Sequence, residues 1–288
     1  SSVMNDALIA DRSGVEAATT MNNRFAHHAE VQVPVQMAMS VDNGPTPLEV
    51  SGFRSPPPFR WTGGQWEVVG TDSQVLVITL YQGQEVMCEP GAMLHSVPGL
   101  EPDVTSGGFG LACQRCLCAG ESFFRVHYLN RTMQPRSMSI SPSFPAKIIP
   151  IDLDRYSGLV MKKKAYLASV GRNVEFGVRR PDTLTTALCG GQGILFTTIN
   201  GTGTAFLNSG GTVLERELGF GEKVFVDRHA LVACESSVQI GVSTAGTCMM
   251  MLCGGMGLFV LELTGPGLVI LQSMAYERAA MAYGRGGG

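Results

Sequence analysis

The same glycine-rich phrase occurs twice in this chain, and the distance between the two copies constrains the fold more than any other feature. It reads LCGGQG at residues 188–193 and LCGGMG at residues 252–257, 64 residues later. The same offset aligns NVEFGV at 173–178 with SVQIGV at 237–242, and Leu207 with Leu271. Self-similarity at a fixed period is typical of repeated structural units. The two segments are therefore predicted to be copies of one unit.

A third, more diverged copy lies upstream. CLCAGESFF, which ends at Phe124, corresponds to ALCGGQGIL, and GAMLHS at 91–96 corresponds to KAYLAS at 164–169. The core at 66–276 is predicted to hold three related units of about 65 to 75 residues, at about 66–143, 144–209 and 210–276.

Glycines in these phrases are predicted to form turns in which the backbone approaches another strand or takes a positive φ. The predicted structural turns lie at Gly120, Gly191, Gly193, Gly255 and Gly257. A phosphate-binding loop is also rich in glycine, but no helix is predicted after these glycines and no Lys-Ser or Lys-Thr pair closes the motif. The repetition is interpreted as architectural, with Gly191 and Gly255 in equivalent turns.

Short apolar runs separated by turns follow one another from Trp66 onward. Pairs of runs flank residues 82–84, 200–203 and 265–267, and each pair predicts a hairpin because glycine accepts positive φ. Charged residues are only 16% of the chain and glycines number 36, which also favours a turn-rich β protein. The predicted fold is all-β, with triplicated β-sandwich or short double-stranded β-helix units in a pseudo-threefold arrangement.

The segments outside the core are predicted to have no fold of their own. Residues 1–50 hold six acidic residues against Arg12 and Arg24 and show no sustained period, which predicts an N-terminal extension. Residues 51–65 contain RSPPPFR and are predicted to be a stiff connector, with an SH3 ligand as the alternative. Residues 277–288 form a glycine-rich tail. No signal or transit peptide is visible, although one could have been removed.

The eight cysteines lie in apolar stretches and are predicted to be mostly buried free thiols. Cys113, Cys116 and Cys118 have a spacing at which thiolates can bind one zinc ion. A structural zinc site normally needs a second pair of ligands, and the nearest candidates are His95, His127 and Cys88, which lie in other predicted strands. Neither a metal nor a cofactor is predicted.

Candidate catalytic residues are few. Asp227-Arg228-His229 resembles a polar cluster, yet adjacent residues on a strand or tight turn point in different directions. His95 and His127 have no carboxylate close in sequence. The chain is predicted not to be an enzyme, and the hypothesis that distant residues come together as a triad stays open.

Charge and hydropathy patterns limit the partners. The chain after residue 50 is nearly neutral, so nucleic acid binding is not expected. Lys162-Lys163-Lys164 is predicted to be a solvated turn that protects a strand edge, with binding of phosphate or anionic lipid as the alternative.

Residues 236–261 carry no charge and are long enough for a membrane helix. Their five glycines and their match to 173–196 favour buried strands instead, and peripheral membrane contact is left open.

Seven segments follow the order that they have in one known protein family: EVMCEPGAML (85–94), GESFF (120–124), FPAKIIPIDL (144–153), LCGGQG (188–193), GTGTAFLNS (201–209), GEKVFVDRHALVACESSV (221–238) and GGMGLFVLELTGPGLVILQ (254–272). Over about 66–273 the chain resembles the mitochondrial-biogenesis family first named for altered inheritance of mitochondria. FGLACQRCLC at 109–118 departs from the family's usual Gly-Leu-Lys-rich loop.

The resemblance implies a β-sandwich fold similar to that of the tryptophan RNA-binding attenuation protein, repeated within one chain. It also implies, for eukaryotic members, a mitochondrial location, in the matrix or at the inner membrane, and a part in organising inner-membrane complexes. No catalytic residue carries over. The chain is expected to be a non-enzymatic structural or assembly protein that meets protein partners through loops and extension, with self-association left open. The alternative is an RNA- or small-ligand-binding module.

Overall fold

A computed structural model of the chain describes residues 47–55, 61–62, 64–106, 124–184, 195–244 and 259–276. Residue contacts divide the chain into Ser1–Gly44 and Pro45–Gly288, and every described residue lies in the second part. Regular structure there is almost entirely strand, beside a one-turn helix α1 (Pro47–Val50) and a 3-10 turn at Leu153–Arg155. The all-β fold class predicted from the sequence is confirmed.

The strands are short, and apolar residues alternate along those that face the core on one side only. The chain up to residue 143, here called the first segment, contributes β1 (Trp61–Thr62), β2 (Trp66–Val69), β3 (Val75–Leu80), β4 (Glu85–Cys88), β5 (Met93–Ser96), β6 (Leu100–Ser106), β7 (Phe124–Asn130) and β8 (Arg136–Ile140). In β3, for example, Leu76, Ile78 and Leu80 are buried and the residues between them are half-buried.

Two further segments complete the fold. The second segment (144–209) contributes β9 (Lys147–Asp152), β10 (Leu159–Met161), β11 (Tyr166–Arg179), β12 (Thr183–Leu184) and β13 (Phe196–Ser209). The third segment (210–276) contributes β14 (Val213–Leu218), β15 (Lys223–Asp227), β16 (Leu231–Glu235), β17 (Gln239–Thr244), β18 (Phe259–Thr264) and β19 (Gly267–Gln272).

The strands of the three segments pair in the same antiparallel order. In the first segment β7 lies between β4 and β6, and β8 lies between β3 and β5. In the third segment β18 lies between β15 and β17, and β19 lies between β14 and β16. In the second segment the long strand β13 takes both central places. Its first half pairs with β10 and the second half of β11, and its second half pairs with β9 and the first half of β11.

A register slip recurs at one place in each segment. The slips lie between Met93 and His95, between Tyr166 and Ala168, and between Leu231 and Ala233. The extra residues are therefore Leu94, Leu167 and Val232, as in a β-bulge, where one strand has one residue more than its partner. This coincidence supports the prediction of three related units, and their pseudo-threefold arrangement stays a prediction.

Two seams between segments have the same register. The facing pairs are Ala168–Cys88 and Ser169–Met87 in the first seam (β11 with β4), and Ala233–Met161 and Cys234–Val160 in the second (β16 with β10). The seams create one long sheet with the order β14-β19-β16-β10-β13-β11-β4-β7-β6, to which β9 adds through β13. Two smaller sheets have the orders β1-β2-β3-β8-β5 and β12-β17-β18-β15.

Each seam also joins the cores of its two segments. Leu167 and Phe206 of the second segment are fully buried in the cluster of the first segment, where the Phe206 ring lies edge-on to Trp66 with centroids 5.0 Å apart. Val232 of the third segment is buried in the cluster of the second. The bulge residue of each later segment thus packs into the core of the segment before it.

The three predicted hairpins are wrong, although glycines do permit bends at these places. Strands β3 and β4, joined by residues 82–84, lie in different sheets, and so do β18 and β19, joined at 265–267. At 200–203 the chain does not fold back, because β13 runs through these residues. Gly203 has a φ of +102° and Gly267 a φ of +134°. Glycine adopts such angles readily, which lets the chain pass from one sheet to another at 265–267 and lets β13 continue through 200–203.

The uncharged stretch at 236–261 is described in part. Its residues 239–244 form β17, and residues 259–261 begin β18. Residues 245–258 lie outside the described part of the chain. Among the residues that are described, no helix is both long and apolar enough to span a membrane.

Candidate functional site

His127 lies at the centre of a polar cluster that the sequence did not predict. Its Nδ1 is 3.5 Å from Oε2 of Glu85, and its Nε2 is 2.7 Å from Oγ1 of Thr105. Strand β7 places His127 directly opposite Met87 on β4 and Asp103 on β6. Glu85 and Thr105 are thus diagonal neighbours, which long side chains can reach across a sheet. His127 has no carboxylate close to it in sequence, but the register of β4 with β7 brings the Glu85 carboxylate next to it.

A cleft of about 220 Å³ opens beside this cluster at the first seam. We call it the seam cleft, and its lining consists of Glu85, Met87, His127, Ser169, Gly171, Asn173 and Val174. The His127 side chain is 15% exposed and the Glu85 side chain 48% exposed. The cleft therefore offers a carboxylate, an imidazole and an amide to a small polar molecule.

The neighbouring side chains connect β7, β4 and β11. The Arg125 guanidinium is 4.9 Å from the ring centre of Tyr166 and 4.7 Å from that of Phe176, distances at which a cation attracts an aromatic ring. The Tyr166 hydroxyl donates to the carbonyl oxygen of Met87 at 3.0 Å. Burial raises the pKa of Tyr166, so its phenol stays protonated at neutral pH and keeps this donor. These contacts hold one side of the seam in a fixed geometry.

A carboxylate, an imidazole and a hydroxyl in series also occur in hydrolytic triads. The equivalent place in the third segment favours a simpler interpretation. By strand pairing, Lys223 and Glu262 occupy the positions of Glu85 and His127, and their Nζ and Oε1 atoms are 2.6 Å apart. An ordinary ion pair at the equivalent site indicates that this position accommodates polar side-chain pairs across neighbouring strands, whether or not the pair has a catalytic role.

The predicted turn glycines Gly120, Gly191, Gly193, Gly255 and Gly257 lie outside the described residues, as do Cys113, Cys116 and Cys118. The two described cysteines, Cys88 and Cys234, are buried free thiols. Burial raises the pKa of each to about 12, so both remain protonated core side chains at neutral pH. In the described part of the chain, no group of three His, Cys, Asp or Glu residues could hold a metal ion.

The two charged motifs singled out in the sequence lie in or directly before turns, since Asp227 is the last residue of β15. In the turn between β15 and β16, the His229 backbone N–H donates to Oδ1 of Asp227 at 2.7 Å, and Nε of Arg228 donates to Nε2 of His229 at 3.0 Å. Lys162-Lys163-Lys164 lies between β10 and β11, where the ammonium of Lys164 is 4.9 Å from the ring centre of Tyr276.

Two turns present large apolar side chains to solvent. Phe220, between β14 and β15, is 94% exposed, and Met133, between β7 and β8, is 89% exposed. Sequence reasoning missed both residues. The available signal was an apolar residue flanked by polar and glycine residues, as in GFGE at 219–222 and TMQP at 132–135.

Comparisons with known proteins agree with this architecture. The crystal structure of a Streptococcus pyogenes protein is similar to the chain, with a TM-score of 0.59 and 21% sequence identity, over 81% of this chain and 99% of that chain. A likeness at this identity concerns the fold. No match was found among curated protein sequences. A family model described as mitochondrial biogenesis AIM24 matches residues 66–274, which is well over half of the sequence. The chain therefore belongs to the mitochondrial biogenesis AIM24 family.

Proposed function

We propose that the chain is a non-enzymatic structural or assembly protein of mitochondria, which associates with inner-membrane protein complexes through its loops and N-terminal extension. The observation that carries this proposal is the exposure of Phe220 and Met133 at two turns. Burying one such side chain against a partner stabilises a complex by about 1.5–3 kcal/mol. Aromatic residues and methionine are also enriched in protein interfaces. The family description supports a role in mitochondrial biogenesis.

The extension is the second contact surface in this proposal. Residues 1–50 are acidic and weakly patterned, and such segments usually become ordered on another surface. Arg54 pairs with Glu215 of β14 through both backbone hydrogen bonds, each 2.8 Å long. A deletion of residues 1–46 would therefore remove most of the extension and leave this attachment intact.

The test is an affinity purification from mitochondria in mild detergent, followed by mass spectrometry. The wild-type chain is expected to retain membrane-complex subunits after nuclease treatment. The double variant Met133→Gln, Phe220→Gln and the 1–46 deletion should each recover less of the same subunits while keeping the wild-type Tm. Val104→Thr is the matched control, because Val104 is 58% exposed but lies on strand β6 rather than in a turn. Undiminished recovery by both test variants would contradict the proposal.

The seam cleft favours a second candidate, a small-ligand-binding module. The fold resemblance to the tryptophan RNA-binding attenuation protein, which the sequence implies, is a further reason for this candidate. Fold analogy alone is a weak warrant for function. A screen of small polar metabolites by thermal shift tests the cleft, with Asn173→Ala as the variant that removes one lining amide. A ligand that raises the wild-type Tm but not that of the variant would support this candidate. RNA binding that weakens steeply with salt would support its RNA form.

A further inference from the structure

We infer that the chain assembles with further copies of itself, by pairing strand β5 of one copy with strand β15 of the next. This inference does not depend on the role proposed above. It rests on the pairing order of the three segments, in which the described strands form two seams and leave the third open.

Strands β5 and β15 are the open members. Strand β5 ends one of the smaller sheets and β15 ends the other, so each has a described strand on one side only. All four residues of β5 are exposed, Leu94 at 60%, and Phe225 of β15 is 63% exposed. An edge strand with free backbone groups and apolar side chains is a template for pairing with another strand.

The equivalents of β5 are buried because each has a neighbour in the preceding segment. The first half of β11 lies against β4, and β16 lies against β10. Their bulge residues Leu167 and Val232 are each 1% exposed, in contrast to Leu94. By pairing order, β4 and β10 are themselves the equivalents of β15. Strand β5 thus lacks a neighbour of the β15 type, and β15 lacks one of the β5 type, among the described strands.

The register of the two formed seams predicts that of the third. Ala168 faces Cys88 and Ala233 faces Met161, so His95 should face Val226. One residue further, Ser96 should face Phe225. In this register Leu94 enters the core cluster of the third segment of the neighbouring copy, as Leu167 and Val232 enter those of the first and second segments.

The contact joins unlike surfaces, because one copy contributes β5 and the other β15. Such heterologous contacts produce a ring where the rotation closes and an open filament where it does not. No like charges meet at the predicted pairs, since Phe225 and Val226 are apolar and their partners are Ser96 and His95. A second copy can therefore pair with the edge strands β5 and β15 in the register of the two formed seams.

Cross-linking with a short bis-maleimide tests the register directly. One chain carries Ser96→Cys and the other Phe225→Cys, and the two are mixed at micromolar concentration. A covalent dimer is expected in the mixture and not with either variant alone, which controls for the native cysteines. Mixing Phe225→Cys with Met133→Cys, an exposed turn position, should give no such dimer. A chain with both substitutions should give covalent dimers or a ladder.

Two results of the cross-linking would overturn the inference. One is the absence of a mixture-specific dimer. The other is a double variant that becomes linked only within one chain, which would mean that β5 and β15 pair intramolecularly. Sedimentation velocity gives a second measurement. Leu94→Lys should weaken self-association roughly tenfold to a hundredfold, because it removes one buried apolar side chain. Met133→Lys should leave self-association unchanged, and a wild-type chain that stays monomeric at all concentrations would also refute the inference.

Discussion

Strands β5 and β16 occupy the same place in their segments and differ completely in burial. Each pairs with the last strand of its segment, and each carries the same bulge. All four residues of β5 are exposed, whereas Leu231, Val232, Ala233 and Cys234 of β16 are buried. The difference is the neighbour on the other side, which is β10 for β16 and no described strand for β5.

The comparison teaches that burial at these positions depends on the seam more than on the strand's own residues. Leu94 and Leu167 are the same residue type in the same bulge, yet one is 60% exposed and the other 1%. A seam therefore converts an ordinary edge strand into a core strand. Substitutions at equivalent positions should cost stability where a seam exists and little where it is open.

The largest contrast is expected for a charge placed in the second seam. Ala233→Asp puts a carboxylate at a site with 0% exposure and should lower the free energy of unfolding by about 3–5 kcal/mol, because the charge is buried without a partner. His95→Asp, at the equivalent exposed position, should change it by less than about 0.5 kcal/mol. Urea denaturation measures both variants.

If the Ala233→Asp protein cannot be purified, Ala233→Thr and His95→Thr give a milder form of the same contrast. Equal losses of stability at the two positions would mean that β5 is as buried as β16, and the comparison would fail.

A truncation at the bulge residue should have the next largest effect. Leu167→Ala is expected to cost about 2–5 kcal/mol, because it leaves a cavity in the cluster of the first segment. Leu94→Ala should cost less than about 0.5 kcal/mol in dilute monomer. Thermal and urea unfolding of both variants test this expectation, and a large loss for Leu94→Ala at low concentration would contradict it.

The smallest effect concerns matching turns in the first and third segments. Oε2 of Glu222 accepts a hydrogen bond from the Gly219 N–H at 2.7 Å, as Oε1 of Gln84 accepts one from the Tyr81 N–H at 2.8 Å. The Gly219 bond, followed by the charge of Arg216, lowers the pKa of Glu222. A lowered folded-state pKa contributes stability above the unfolded value of about 4.5, and this contribution is lost as the pH falls through the folded pKa.

Glu222→Gln should therefore lower the Tm by about 1–2 °C at pH 7 and by less at pH 3. The control Gln84→Ala removes a neutral acceptor, so its effect should be the same at both pH values. A loss for Glu222→Gln that is equal at pH 7 and pH 3 would show that the charge makes no contribution.

Much of the fold was predictable because repetition and alternation are local properties of the sequence. The offset of 64 that aligned Leu207 with Leu271 matches the structure. Leu207 pairs with Tyr166 and Leu271 pairs with Leu231, and each of these partners directly precedes the bulge of its segment. The hairpins were not predictable. Glycine permits a tight reversal as readily as the passage between sheets at Gly267 or the uninterrupted strand at Gly203. Only the strands available for pairing decide which of these forms.

The candidate site was less accessible to sequence reasoning. Glu85, Thr105 and His127 come from three strands, so their contact depends on a register that no local pattern specifies. The unpaired edges of β5 and β15 could not be predicted from the sequence for the same reason. MLHS at 93–96 resembles YLAS at 166–169, and only the presence of a neighbouring strand separates the exposed copy from the buried one.

Hydrogen exchange followed by mass spectrometry tests most directly the central claim, that β5 has no described strand in the place where its equivalents have a neighbour. Peptides covering residues 93–96 and 231–235 are compared in a dilute sample, where chains are not associated. The backbone amides of β16 should exchange only through large-scale unfolding, and those of β5 that face away from β8 should exchange orders of magnitude faster. Equal protection of the two strands in the dilute monomer would contradict the claim.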